Sequence, residues 1–296
     1  MARPRFSGIY VPIATPFAPD GSVNDDALRL LVDRLINDGA TGLVPCGTTG
    51  ESATLSHEEH RHVVEVVVEH SNGRVPVLAG TGSNATAEAV ELTGHAEKVG
   101  ADAALVICPY YNRPTQQGLL VHFRQVADAT SLPIIMYNIP KRTGVNMEAA
   151  TVHQLAKVPN IVGTKEGSGD LDQVMEILAG TDEFSVLSGD DHLLLPICAL
   201  GGTGGIAASA HFATGEWVRL YEAVESGRLM DARKLHYRLL PLVRAVFAES
   251  NPIPVKAGLE MLGIPAGNPR LPLVPASDKC REMLRSAFEK LGLLPA

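Results

Sequence analysis

The chain has 296 residues, 45% of them hydrophobic, and a net charge of -8. That is core material for one barrel-sized domain or two smaller ones, and the acidic balance argues against general nucleic-acid binding while leaving a small anionic substrate open. No apolar run approaches the ~18 residues of a membrane span, and the start Met1-Ala2-Arg3-Pro4-Arg5-Phe6 lacks the apolar stretch of a secretory signal. The dispersed Cys46, Cys108, Cys198 and Cys280 read as buried thiols of a reducing cytoplasm, the expected location, rather than as a disulfide frame or a zinc site.

In chain order, short apolar runs predict strands at 10–14, 42–45, 75–79, 103–108, 134–137, 161–165, 184–187 and 205–208. Amphipathic stretches between them predict helices, among them 25–37, 57–70, 86–99 and 116–129. Eight such units point to an α/β chain folded as a (β/α)8 TIM barrel over residues 1–228. The competing doubly wound sheet usually carries a glycine-rich phosphate turn after its first strand, where this chain has Thr15-Pro16-Phe17. Beyond Gly227 the strand pattern stops, and 229–249, 254–262 and 277–291 read as a helical C-terminal extension over 229–296.

In a barrel, chemistry collects at the carboxyl ends of the strands. Lys165 ends the sixth predicted strand. A free lysine is neutral in roughly one molecule in two thousand at pH 7, and an apolar wall that disfavours the ammonium turns it into a nucleophilic amine. A lysine snorkelling to solvent is the alternative. The second strand leads into Gly47-Thr48-Thr49-Gly50-Glu51-Ser52, whose amides and hydroxyls suit a small carboxylate, or which is a tight turn with a helix cap at Ser52 or Ser56. Tyr110, Tyr111, Asn112 and Arg113 follow the fourth strand; Tyr137 ends the fifth, before Arg142. A networked tyrosine can move protons, and an arginine fork suits a carboxylate. Ser188-Gly189-Asp190-Asp191-His192 reads as a helix cap by aspartate before it reads as a metal site, and His57-Glu58-Glu59-His60-Arg61-His62 lacks zinc-protease spacing. Gly201-Gly202-Thr203-Gly204-Gly205 reads as a helix-to-strand turn. Lysine with tyrosines, without nucleotide or metal motifs, points to imine chemistry on a carbonyl substrate, with no cofactor.

Gly47-Thr48-Thr49-Gly50-Glu51-Ser52, Tyr137-Asn138-x-Pro140 and Gly163-x-Lys165-Glu166 together resemble the pyruvate-dependent class I aldolases, the family of the dihydrodipicolinate synthases and N-acetylneuraminate lyases. The resemblance runs over essentially the whole chain. Pro109-Tyr110-Tyr111-Asn112-Arg113-Pro114, Arg142 and Asn251-Pro252-Ile253-Pro254-Val255-Lys256 are similar to the dihydrodipicolinate synthase branch. It implies an imine between Lys165 and pyruvate, whose enamine attacks L-aspartate 4-semialdehyde. It further implies a proton relay of Tyr137, Thr48 and a neighbouring subunit's Tyr111. Thr49, with the Thr48 backbone, would hold the pyruvate carboxylate; Gly189 and Ile206 would line its pocket, and Arg142 would take the aldehyde's carboxylate. A homotetramer is implied, as is a lysine-inhibition site at Ser52, Ala53, His57, His60, Asn84, Glu88 and Tyr110. After Ile206 the chain reads Ala207-Ala208-Ser209-Ala210-His211 where the branch commonly has Ser-Val-Thr-Ala-Asn, which bears on the second substrate. An aldolase, lyase or dehydratase of a sugar acid is the alternative activity, and a non-enzymatic binder that kept the barrel is a third class.

Overall fold

The computed structural model describes residues 4–294; the first three residues of the amino-terminal segment and the last two of the expected extension lie outside them. Strand and helix alternate as β1 (Gly8–Val11), α1 (Asp25–Asn37), β2 (Gly42–Leu43), α2 (His57–Ser71), β3 (Leu78–Gly80), α3 (Thr86–Lys98), β4 (Ala103–Ile107), α4 (Gln116–Asp128) and β5 (Ile134–Asn138). After β5 come two short helices, α5 (Pro140–Thr143) and α6 (Ala149–Leu155), then β6 (Ile161–Glu166), α7 (Leu171–Ala179), β7 (Ser185–Ser188), α8 (Leu194–Ala199) and β8 (Gly204–Ile206). Four helices close the chain: α9 (Ala210–Glu225), α10 (Leu229–Val246), α11 (Ile253–Met261) and α12 (Asp278–Leu291).

The strands pair in parallel in the order β2-β1-β8-β7-β6-β5-β4-β3. The two ends of that order meet: Leu43 N donates to Pro76 O at 3.0 Å, and Gly80 N to Pro45 O at 2.9 Å. The sheet therefore curls into the expected (β/α)8 barrel, which leaves no free edge. Four strands, β1, β2, β3 and β8, start or stop two or more residues from their expected bounds, and prolines account for the early end of β1 and the late start of β3. Pro12 has no N–H to extend β1, and Pro76 none to begin β3. Helix bounds agree more closely because caps define them. Asn24 accepts from Ala27 N, and Ser56, not Ser52, forms a capping box with Glu59. The glycine cluster 201–205 runs two residues into β8. Gly204 has φ +143, and a Cβ there would lie 2.0 Å from Gly8 O, so the close approach of β1 and β8 admits glycine alone.

Two apolar layers hold the barrel. Its interior is filled by Tyr10, Val44, Leu78, Leu105, Ile135, Tyr137, Leu187 and Ile206 among others, and a larger shell lies between strands and helices. One irregularity sets the site. Ile134 pairs with Ile161 but Ile135 pairs with Gly163, so Val162 is skipped and Lys165 falls beside Tyr137 and Leu187. Pairing neighbours share a face, so the lysine enters the barrel with them. Among the described residues no helix is long and apolar enough to cross a membrane.

The C-terminal helices pack on the barrel's helical shell, with α10 against α9 and α12. From α11, Lys256 Nζ reaches Glu51 Oε1 at 2.6 Å, both side chains 1% exposed. Lys256 Nζ also sits 3.8 Å from the centroid of the Phe17 ring. Arg270 N donates to the other oxygen of Glu51 at 2.9 Å.

Three histidines are buried as neutral rings. His60 Nε2 meets Gly80 O at 2.8 Å, His122 Nδ1 meets Thr86 Oγ1 at 2.9 Å, and His211 Nδ1 donates to Ala208 O at 2.8 Å while Nε2 accepts from Ala14 N at 3.2 Å. Burial lowers each to about 4 from 6.5. Because the folded value lies below the unfolded one, the unfolded chain binds more protons between them and stability falls as pH drops from 6.5 towards 4. Each ring contributes on the order of 3 kcal/mol to that loss. The expected result is a urea midpoint that declines from about pH 6.5, above the carboxylate range; a midpoint unchanged between about pH 7 and 5 would refute it.

Candidate active site

At the carboxyl mouth of the barrel a cavity of about 60 Å³ opens over the end of β6. That is room for a ligand of a few heavy atoms. Lys165 lines it, 6% exposed, with Nζ 4.1 Å from the centroid of the Tyr137 ring. Burial lowers the lysine to about 8; Asp191 and Asp190 pull it back up, and Arg142 pushes it further down. At that value roughly one amine in ten is neutral at pH 7, about two hundred times the fraction of a free lysine. Lysine snorkelling is thereby set aside.

The Tyr137 hydroxyl is pushed above its ordinary value by burial and is in hydrogen-bond contact with the Thr48 side chain. It therefore stays protonated and can pass protons through that contact. Thr48 and Thr49 stand on the loop after β2, which turns through Glu51 at φ 55. Thr49 Oγ1 accepts from Asn251 Nδ2 at 2.8 Å, and Arg142 donates to Asn251 O at 3.2 Å. Gly189, Asp190, Asp191 and Ile206 complete the wall beside them.

Five of the residues singled out in the sequence thus face one cavity: Lys165, Tyr137, Thr48, Thr49 and Arg142, with Gly189 and Ile206 at its wall. Tyr111 does not join them. It is 90% exposed at φ 72, on a loop held by Asn112 Nδ2 to Asn84 O at 2.8 Å and Arg113 Nε to Gly144 O at 3.0 Å. The sequence reading missed Asn251 as a site residue, although its motif stood out, because its partner Thr49 lies 202 positions away. The cap reading of the two aspartates needs correction. Neither caps the short helical turn that follows; Asp191 accepts from Ala208 N at 3.3 Å and from Ser209 N and Oγ at 2.7 and 2.5 Å. That explains the departing segment 207–211. Ser209 serves Asp191, His211 turns to β1's exit, and Ala208 is the part that reaches the cavity wall.

Of the expected lysine-site residues, His57 Nε2 meets Glu88 Oε1 at 2.5 Å, and Ser83 also donates to Glu88. Ser52 and Ala53 lie in the short turn before α2, Asn84 just before α3, and Tyr110 on the loop after β4. His60 points elsewhere, to Gly80 O, with its Nδ1 buried and unpaired. The rest of the histidine run disperses, Glu59 to Arg270 and His62 to Asp25. Among the described residues no three His, Cys, Asp or Glu side chains converge as ligands.

A parallel barrel with a buried lysine of lowered basicity at its carboxyl mouth, flanked by tyrosine, threonines and arginine, is the build of a lysine-centred barrel lyase. The chain belongs to the dihydrodipicolinate synthetase family, whose model matches residues 5–291. It is 54% identical over 289 residues to the 4-hydroxy-tetrahydrodipicolinate synthase of Methanothrix thermoacetophila, covering 97% of each chain. Solved structures agree. The dihydrodipicolinate synthase of Cyanidioschyzon merolae, with lysine bound, superposes at TM-score 0.96 with 42% identity, over 98% of this chain and 99% of that one. A monomeric dihydrodipicolinate synthase variant superposes at 0.95 with 39% identity, over 98% of both.

Proposed function

We propose that this chain is a 4-hydroxy-tetrahydrodipicolinate synthase that condenses pyruvate with L-aspartate 4-semialdehyde. The observation that carries the reading is the buried Lys165, lowered to about 8, facing Tyr137, the Thr48–Thr49 loop and Arg142 in one small cavity. The neutral Nζ of Lys165 adds to C2 of pyruvate, and loss of water gives the imine. Removal of a C3 proton yields the enamine, whose C3 adds to the aldehyde carbon and leaves a hydroxyl there. The amine of the semialdehyde then adds to C2, displaces Lys165 and closes the six-membered ring. Each step takes or gives a proton beside Tyr137, which passes it through Thr48 to the partner subunit's Tyr111. Thr49 and the Thr48 backbone hold the pyruvate carboxylate, Gly189 and Ile206 line its pocket, and Arg142 pairs with the carboxylate of the semialdehyde.

The exposure of Tyr111 supports an oligomer in which that ring finds a neighbour's cavity, and we assign a homotetramer. A cytoplasmic place fits four free buried cysteines. The deciding experiment follows pyruvate consumption with L-aspartate 4-semialdehyde beside a set of keto-deoxy sugar acids. Turnover of the semialdehyde supports the synthase; turnover of a sugar acid alone overturns it. Tyr137→Phe should lower kcat about 100-fold or more, with pyruvate still trapped on Lys165 by borohydride; unchanged kcat would remove Tyr137 from the relay. Feedback inhibition by lysine belongs to the same proposal, the His57–Glu88 pair offering a ring and a carboxylate to its two charged ends. Activity unaltered by millimolar lysine would discard it.

A further inference from the structure

The cavity holds more acceptors than the reaction on pyruvate requires. Three carboxylates stand at the ends of β6 and β7, and two are already committed. Glu166 accepts from Ser168 N at 2.8 Å, from Asn138 at 3.2 Å and from Gln173 at 3.3 Å. Asp191 accepts three hydrogen bonds from Ala208 and Ser209. Asp190 differs: it lines the cavity, and its Oδ2 is buried with no hydrogen-bond partner. A second unpartnered acceptor belongs to Asn251, which lines the same cavity. Asn251 is 8% exposed; its Nδ2 is spent on Thr49 and its carbonyl on Arg142, while its Oδ1 is buried without a donor.

A buried acceptor left without a donor costs about 1–3 kcal/mol, more when charged, so two of them in one small cavity point to a missing donor group. Arg142 on the same wall supplies the opposite sign. A cation fork beside an anion and an amide oxygen is complementary to a zwitterion, in which carboxylate and ammonium sit on one carbon. We infer that Asp190, with Asn251 Oδ1, recognises the α-ammonium of the aldehyde substrate, making Asp190 a specificity residue for amino-acid aldehydes over aldehydes that carry only the carboxylate. The inference rests on the synthase reading and deepens it. Pyruvate has no donor to offer these two oxygens, so neither is a hydrogen-bond contact for it. Asp191 cannot take the role, because its oxygens are held by Ser209 and Ala208.

The test uses Asp190→Asn, isosteric and uncharged, with Asp190→Glu as the charge-keeping companion. In the full-length enzyme the asparagine variant should lose about 10- to 100-fold in kcat/KM for L-aspartate 4-semialdehyde. Asp190 is one of the two carboxylates that hold the basicity of Lys165 up, so at pH 7 the asparagine variant should still form the borohydride-trapped pyruvate adduct, at least as readily as wild type, and the loss should fall on the aldehyde step. Inhibition by succinic semialdehyde, which lacks the amino group, should be equally strong in wild type and variant. Asp190→Glu should recover part of the loss. Unchanged kcat/KM in the asparagine variant overturns the inference, as does an equal loss of affinity for succinic semialdehyde. Wild-type enzyme that traps pyruvate yet never turns over L-aspartate 4-semialdehyde instead overturns the synthase reading, and the inference with it.

Discussion

Lys165→Ala is expected to remove turnover of pyruvate with L-aspartate 4-semialdehyde by about four orders of magnitude or more. The covalent route needs a neutral amine inside the cavity, and no other described lysine is placed to supply one. Lys256 is buried against Glu51 at 2.6 Å and Lys141 is exposed, and neither lines the cavity. The measurement is twofold: steady-state turnover, and the mass of the protein after borohydride reduction with pyruvate. Wild type should gain one pyruvate-derived adduct and the alanine variant none. A variant that kept a tenth of wild-type activity would sink the imine route. The pH dependence has a definite sign. Burial lowers Lys165 to about 8, so the neutral fraction, and with it the rate of adduct formation, rises from pH 7 through about 8 before levelling.

Lys256→Met carries the largest expected cost in stability. Glu51 and Lys256 are each 1% exposed, and Glu51 has no solvent to fall back on once its partner is gone. Removing one member of such a pair costs about 3–5 kcal/mol, because the remaining charge is left desolvated. The melting temperature should drop by about 10 °C. The double variant Glu51→Gln with Lys256→Met should recover part of that loss, since it leaves no charge behind. Glu51 also turns the chain immediately after Thr48 and Thr49, so the single variant should raise the pyruvate KM more than it lowers kcat. A melting temperature within about 2 °C of wild type would show that the pair is replaceable by packing alone.

Much of this protein is written locally. An amphipathic repeat, an Asn24 cap and two acidic residues in the first turn define the start of α1, because the signals that start a helix lie within a turn of it. The eight apolar runs mark eight strands for the same reason, although the bounds of β1, β2, β3 and β8 shift, and the early end of β1 and late start of β3 trace to single prolines whose effect on pairing depends on the neighbouring strand. Lys165, Tyr137, Thr48, Thr49 and Arg142 could be gathered beforehand, since a barrel brings all its strand ends to one face.

What the sequence could not decide was set by closure and by pairing. Simple alternation from Val162 would turn Lys165 away from the barrel interior; the skipped pairing at Val162 turns it in, and that skip exists because β6 must match β5. Asn251 meets Thr49 across 202 positions, and Asp191 finds Ser209 on the next strand's exit, because the ring is closed and the C-terminal helices fold back over its mouth. The lowered basicity of Lys165 is likewise no property of its segment. It comes from desolvation by residues drawn from every part of the chain, and desolvation exists only once those residues have been packed together.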